Sequence, residues 1–155
     1  MENDVSLVID RTDLIENLLN QIIVKFLSPR EEVFPFFWNV FLDGSMTSLG
    51  TKVRLVILIA KEIEFKLNQE VIRKVVNLRN AFAHHGLHSH PTNIVGKTPE
   101  EDKHSYQLQV ITSSLKLKRM SREEALEEYN KNFNSAKKTL VEMLNEMGNN
   151  LLQEM

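Results

Sequence analysis

Three absences narrow the kind of protein that this chain can be. Its 155 residues include no cysteine, which excludes disulfides, thiolate metal ligands and a cysteine nucleophile. Its longest apolar run, Leu55 to Ala60, is far shorter than the roughly 20 residues of a membrane-spanning helix. Its formal net charge is -2, so any contact with nucleic acid must be made by a local basic patch. The acidic start MEND also lacks a signal-peptide pattern, and we therefore expect a cytoplasmic protein without membrane contact.

The length and composition suit one folded domain. The hydrophobic fraction of 42% allows a substantial core, while 155 residues are too few for two comfortable domains. We therefore predict a single domain over residues 1–155.

The first amphipathic helix is predicted over residues 6–27, where apolar side chains recur at helical spacing. Asp10 or Thr12 is a candidate N-cap for its main segment. Ser28-Pro29 ends it, because the residue before a proline avoids the helical region. Residues 32–42 follow, and they are dense in aromatic side chains and interrupted by a proline. This composition indicates a short helix or an irregular packed segment.

Three further helices are predicted from apolar stripes and caps. One covers residues 48–66 and opens at Ser48; the next covers residues 68–86, with Asn68 as its N-cap and a glycine as its C-terminal left-handed cap. The last opens at the capping box of residues 121–124. Its apolar stripe consists of Ala125, Tyr129, Phe133, Ala136, Leu140, Met143, Met147 and Leu151.

A polar loop over residues 87–105 precedes two short segments of alternating polarity, residues 106–111 and 115–119. The alternation predicts a small β-hairpin or an extended arm before the last helix. The predicted fold class is therefore mainly all-α, a four- to five-helix bundle that carries this hairpin.

The third long helix carries an arginine inside its apolar stripe. Arg79 falls near the middle of the arc that contains Val75 and Leu78. Arginine is rarely buried unless it is paired, so Arg79 requires an acid, a set of carbonyls, a subunit interface or an anionic ligand. A structural ion pair is the simplest of these alternatives.

Two histidines, His84 and His85, close the same helix, where the helix dipole favours a positive charge. Asn80 lies one turn before His84 on the same face and is placed to orient its ring. Arginine, asparagine and histidine together supply what RNA cleavage by a neighbouring 2′-hydroxyl requires, namely charge neutralisation and proton transfer. That chemistry needs no metal or cofactor. An ordinary solvated helix end is the alternative interpretation of the histidines.

The histidine-rich stretch also raises the question of a metal site. Its members are His84, His85, His88, His90 and His104. Their spacing matches no zinc pattern, and no cysteine accompanies them. We therefore predict no native metal site.

The segment Arg79-Asn80-Ala81-Phe82-Ala83-His84 resembles the signature of the HEPN superfamily, in which an arginine, a polar residue, a short spacer and a histidine lie in the third helix of a four-helix bundle. The stretch from Phe41-Leu42-Asp43-Gly44-Ser45 to Leu49-Gly50-Thr51-Lys52-Val53 is also similar to the mannitol-operon-repressor-like branch, where a glycine-containing loop precedes a lysine-bearing helix. The order of elements agrees over roughly residues 6–150.

This resemblance implies a metal-independent endoribonuclease of toxin or phage-defence type that acts as a homodimer. The motif helices of both subunits would meet in one cleft, so the apolar arc would be partly an interface. Arg79 would stabilise the scissile phosphate, His84 would transfer protons, Asn80 would be the polar residue after the arginine, and His85 is an additional candidate. RNA and a protein partner or antitoxin are implied, although Gly86 stands where toxins paired with nucleotidyltransferase antitoxins often carry a tyrosine.

The same branch also contains regulators of transcription, so a non-enzymatic regulator or interaction module is the alternative function. In that case Arg79 would be a structural pair. The aromatic segment would then be partly exposed for a partner, although such a segment is more often core. Its aromatic residues are Phe34, Phe36, Phe37, Trp38 and Phe41.

One local group of basic residues can steer RNA if the chain is a nuclease. It consists of Lys116, Lys118, Arg119 and Arg122, beside the hairpin and the start of the last helix. The alternative is an ordinary solvated edge, since lysines on edge strands also prevent aggregation.

Overall fold

The structure is a computed structural model that describes residues 2–84, 107–112 and 114–153, and the side chains of residues 4–84, 108–112 and 114–148. Several predictions concern residues outside these ranges. They are the cap at Gly86, the polar loop over 87–105, the place of Tyr106 in the hairpin and the place of Leu151 in the last apolar stripe.

The described chain is mainly helical, and an antiparallel hairpin precedes the last helix, so the predicted fold class is confirmed. The elements are α1 (Glu2–Leu27), α2 (Phe34–Phe36), a π-helical turn (Phe37–Phe41), α3 (Leu49–Glu62), α4 (Gln69–His84), β1 (Gln107–Ile111), β2 (Leu117–Ser121) and α5 (Arg122–Gln153). Helices α1 and α4 both pack along α5, and α1 also packs against α3 and α4. Over the described ranges, no helix has the length and apolar character needed to cross a bilayer.

Helix α1 begins earlier than the sequence predicts, so the assignment of Asp10 or Thr12 as its N-cap is wrong. Thr12 lies inside the helix, where its hydroxyl donates to the carbonyl of Val8 at 2.7 Å. The same hydroxyl lies 2.9 Å from the hydroxyl of Tyr129 on α5, which also donates to Val8. Burial is the main cause of the raised pKa of Tyr129. Hydrogen bonds between Thr12, Tyr129 and the Val8 carbonyl thus connect α1 to α5 inside the core.

The ends of α1 and α3 are set by residues in the left-handed conformation. Ser28 has φ 43° and donates its N–H to the carbonyl of Val24 at 2.8 Å, which ends α1 before Pro29 as predicted. Glu64 has φ 58°, and α3 ends at Glu62, four residues before the predicted limit. The predicted N-cap of α3 is confirmed, since the Ser48 side chain accepts a hydrogen bond from the third helical residue.

The predicted hairpin and the predicted start of α5 are confirmed, although the second strand begins at Leu117, two residues later than predicted. Leu108 pairs with Met120 and Val110 with Lys118, so the alternate residues Leu108, Val110 and Met120 are buried. The capping box is complete: the Ser121 N–H donates to Glu124 at 2.9 Å, and the Glu124 N–H donates to the Ser121 hydroxyl at 3.1 Å. The predicted α5 stripe is buried from Ala125 to Met147.

The aromatic segment is partly exposed: Phe37 and Trp38 pack against the core, and the interpretation as core is wrong for the other three rings. Phe34, Phe36 and Phe41 are 41%, 65% and 42% exposed. Phe34 stacks on Trp38, and Phe41 stacks on Phe37, so each of these exposed rings covers a ring that packs against the core. The segment therefore presents an aromatic surface to solvent.

Candidate functional site

The apolar arc of α4 is filled within its own chain. Its fully or nearly fully buried residues are Ile72, Val75, Leu78, Ala81 and Phe82. They recur at three- and four-residue spacing and face α1 and α5, which follows from the helical period. These five side chains are therefore not available to a subunit interface, and the part of the predicted arc that a second copy could contact is Val71, Val76 and Ala83, which are partly buried or exposed.

Arg79 lies beside this arc and is half-buried. Its Nη1 donates to the side-chain oxygen of Asn80 at 3.2 Å. None of the ion pairs within 4.0 Å in the described part of the chain includes Arg79. The guanidinium thus has a neutral hydrogen-bond partner instead of the carboxylate expected of a structural pair.

An acidic group of α1 lies within electrostatic reach of Arg79. Burial, followed by repulsion from Glu16 and Asp10, raises the pKa of Asp13, while Arg79 partly lowers it. Because the raising influences are larger, the carboxyl group of Asp13 is not held as the tight partner of a salt bridge. Arg79 therefore lies next to an acid without forming a closed pair with it.

The other two motif residues meet in a cleft of about 570 Å³ between α4 and the hairpin. Asn77, Asn80 and His84 project from one face of α4, because they are three and four residues apart. Its lining residues are Asn77, Asn80, Ala81, His84, Gln109, Ile111, Thr112 and Leu115. His84 is exposed at the last position of α4, so its ring can contact a ligand in the cleft. Arg79 is outside this lining and touches it through Asn80.

Asn80 therefore has a different observed contact from the expected one. The sequence predicts that it orients His84, whereas its oxygen accepts a hydrogen bond from Arg79. His85, the additional candidate, lies outside the described residues, as do His88, His90 and His104. In the part of the chain that the structure describes, no three histidine or acidic side chains are grouped to hold a metal ion.

The four basic residues near the hairpin are in two different settings. Lys118 forms an ion pair with Glu128 at 3.1 Å, and Arg122 forms one with Asp4 at 3.2 Å. Arg122 also lies 5.7 Å from the centre of the Phe82 ring. The other two, Lys116 and Arg119, are exposed. The positive charge available to an RNA backbone is therefore concentrated on these two side chains.

A second polar cleft, of about 330 Å³, was missed by sequence reasoning. Lys52 of α3 lines it and is 1% exposed; its ammonium group donates to the Glu16 carboxylate and to the carbonyl of Leu42. Its other walls include Asp13, Asn17, Asn20, Trp38, Asn39 and Asp43. Hydrogen bonds from Ser45 lower the pKa of Asp43.

One sequence signal points to this cleft. Asp13, Glu16, Asn17 and Asn20 have the i, i+3, i+4, i+7 spacing of one helical face, which marks a polar stripe on α1. Lys52 of the apolar helix α3 supplies the positive charge that pairs with Glu16 of this stripe.

Comparisons with protein-family models, with curated proteins and with solved structures gave no match.

Proposed function

We propose that this chain is a metal-independent endoribonuclease of HEPN type that acts as a cytoplasmic homodimer. The observation that carries the proposal is the arrangement on the last turns of α4. Asn80 links the guanidinium of Arg79 to the cleft in which His84 is exposed. Positions 79 and 84 are about 7.5 Å apart along the helix axis but about 140° apart around it, so a phosphate held at His84 would meet the Arg79 of a second copy.

The chemistry assigns a role to each motif residue. The 2′-oxygen of RNA attacks phosphorus, its proton is taken by a base, and the 5′-oxygen leaves with a proton from an acid. His84 is a proton-transfer group for this exchange. Arg79 stabilises the negative charge that develops on the phosphoryl oxygens, and Asn80 positions Arg79. The proton that His84 takes from the 2′-hydroxyl can be returned to the leaving 5′-oxygen, so one histidine serves each site, and a second copy of the chain supplies the arginine.

The test is RNA cleavage in excess EDTA by wild type and by His84→Ala, purified side by side. We expect wild type to cleave and His84→Ala to lose at least about 100-fold in rate, the usual size of general acid–base catalysis. Lys74→Ala is the control, because Lys74 lies on α4 in an exposed pair with Glu70. Equal cleavage by wild type and His84→Ala would place the activity elsewhere, and no cleavage of several unpaired RNAs would remove the nuclease function.

A second candidate function is a non-enzymatic regulator or interaction module of the mannitol-operon-repressor-like type. The exposed aromatic surface of Phe34, Phe36 and Phe41 favours it, since monomeric proteins rarely expose such a contiguous group. Phe36→Ser should then weaken self-association measured by sedimentation velocity. Leu58→Ser is the matched control, because Leu58 is 60% exposed, close to the 65% of Phe36, but lies on α3.

A further inference from the structure

The lining of the cleft beside His84 is largely neutral. Among the described residues that line it, His84 alone is ionisable. Three of them, Asn77, Asn80 and Gln109, carry side-chain amides, which provide both hydrogen-bond donors and acceptors. Ile111 and Leu115 add apolar surface. A neutral cleft of this kind suits a flat, polar-edged group such as a nucleobase.

Leu115, which lines the cleft, has a backbone conformation and a solvent exposure that are both unfavourable for a leucine. It has φ 59°, in the left-handed region that bulky side chains avoid, and it is 87% exposed. The turn is fixed by hydrogen bonds from the Thr112 N–H to the Lys116 carbonyl at 2.9 Å and from the Leu115 N–H to the Thr112 carbonyl at 2.9 Å. Neither the conformation nor the exposure of Leu115 stabilises the fold. Both place an apolar side chain where a ligand can cover it.

We infer that this cleft binds one unpaired nucleobase of the RNA, next to the bond at which His84 acts; the inference rests on the proposed function. The base lies against Leu115 and Ile111, and its edge contacts the amides of Gln109 and Asn80. The phosphate then lies at the end of the cleft where His84 is located. Unpaired RNA is commonly recognised by this combination of contacts to a base face and a base edge.

Gln109 is the residue that we assign to base discrimination. It lies on β1, opposite Arg119 on β2, and it lines the cleft. An amide that pairs with a base edge favours bases with the complementary donors and acceptors. The cleavage site should therefore show a base preference that depends on Gln109.

The test measures RNA binding separately from cleavage. Short, unpaired, fluorescently labelled oligoribonucleotides that differ at one base are titrated against His84→Ala, and anisotropy gives the Kd. We expect Leu115→Asn in that background to weaken binding about tenfold, in the range of a lost base contact. Gln109→Leu should reduce the difference between the best and worst base to less than about threefold. Leu117→Asn is the control, because Leu117 is an exposed leucine of the same hairpin outside the cleft.

Protein unfolding distinguishes a binding role from a structural role for Leu115. Asparagine adopts the left-handed conformation more readily than leucine, so Leu115→Asn should leave the thermal midpoint unchanged or raise it. A variant that is no less stable but binds RNA more weakly has lost a ligand contact.

The outcomes separate the inference from the proposed nuclease. If Leu115→Asn and Gln109→Leu bind every RNA as the Leu117→Asn control does, or if no RNA binds, the inference is overturned. If wild type cleaves RNA while neither variant changes base dependence, the nuclease stands and the base site does not. If binding depends on the base and on Gln109 but wild type does not cleave, the base site stands and the nuclease proposal fails.

Discussion

At the scale of single residues, the environment of Asp13 bears on whether Arg79 binds an anion or forms a structural ion pair. Its carboxyl group is repelled by Glu16 and Asp10 and attracted by Arg79, and burial adds to the repulsion in raising its pKa. A carboxylate that stabilised the fold through Arg79 would have a lowered pKa. The ion pairs of the described residues do not include Arg79, and its hydrogen-bond partner Asn80 is neutral, so its positive charge can still attract another anion.

Asp13→Asn should therefore strengthen RNA binding without weakening the fold. Removing the negative charge near Arg79 increases its attraction for phosphate, and we expect a several-fold lower Kd at low salt. Because the folded state raises the pKa of Asp13, protonation of this group stabilises the fold below its unfolded pKa, and that stabilisation is lost as pH rises through its folded pKa. In Asp13→Asn the free energy of unfolding should no longer show this decrease with pH. The measurements are RNA anisotropy and urea unfolding between pH 3 and 7.

Asp10→Asn is the control for this experiment, since it removes the same charge about one turn earlier on α1; because Asp10 also raises the pKa of Asp13, only the excess effect of Asp13→Asn is assigned to Arg79. A free energy of unfolding for Asp13→Asn that is lower by more than about 1 kcal/mol than that of the control would mean that Arg79 and Asp13 form a structural pair.

Lys52 is the residue whose charge most affects stability. Its ammonium group is buried and contacts the Glu16 carboxylate, which is 24% exposed, and the Leu42 carbonyl. Lys52→Met keeps the apolar part of the side chain but leaves both oxygens without their donor. We expect a loss of about 3 kcal/mol in the free energy of unfolding, since breaking a buried pair typically costs about 3–5 kcal/mol and Glu16 keeps some contact with water.

Urea unfolding followed by circular dichroism measures this loss. Lys74→Met is a matched control, because Lys74 and Glu70 form an exposed pair, with side chains 43% and 73% exposed, and such pairs contribute about 0.5 kcal/mol or less. Similar values for the two variants would show that the buried pair of Lys52 does not stabilise the bundle.

At the scale of secondary-structure elements, the capping box fixes the junction between the hairpin and α5. Ser121 is the last residue of β2 and exchanges hydrogen bonds with Glu124 in the first turn of α5. Ser121→Ala removes one of the two hydrogen bonds and should lower the free energy of unfolding by about 1 kcal/mol. Ser135→Ala is the control, because Ser135 lies within α5 and alanine is favoured there. A loss no greater than that of the control would mean that hairpin packing alone determines where α5 begins.

Elements with local signals could be predicted from the sequence. The capping box, the α5 stripe, the α3 cap and the end of α1 before Pro29 each depend on residues within a few positions of one another. The alternation likewise predicted the hairpin, but not its register, and the second strand, Leu117–Ser121, begins two residues later than predicted. The proximity of Asn80 and His84 followed from their four-residue spacing.

Features that depend on distant partners could not be predicted. Thr12 looks like a cap in the sequence, and only Tyr129, 117 positions away, shows why its hydroxyl lies inside α1. Glu16 and Lys52 are 36 positions apart, and no local pattern joins them. The exposure of Phe36 depends on how the aromatic segment packs against the bundle, which its composition does not specify.

At the scale of the whole molecule, the position of Arg79 bears on why two copies would be needed. Within one chain His84 lines the cleft, whereas Arg79 lies outside its lining and near Asp13 on α1. A two-fold arrangement brings the α4 helices of two copies together, so that the arginine of one can act on a phosphate held at the histidine of the other. The proposed activity should then require the dimer.

A mixed dimer tests this requirement. Arg79→Ala and His84→Ala chains are each expected to be inactive, but their mixture should recover a substantial fraction of wild-type cleavage if arginine and histidine act from different chains. Unfolding and reassociating the two variants together forms the mixed species, and two different purification tags isolate it. Each variant treated alone in the same way is the control, and sedimentation velocity verifies that each preparation is dimeric. A dimeric but inactive mixed species would mean that Arg79 and His84 must act from the same chain, and a monomer that cleaves as fast as the dimer would remove the need for a second copy.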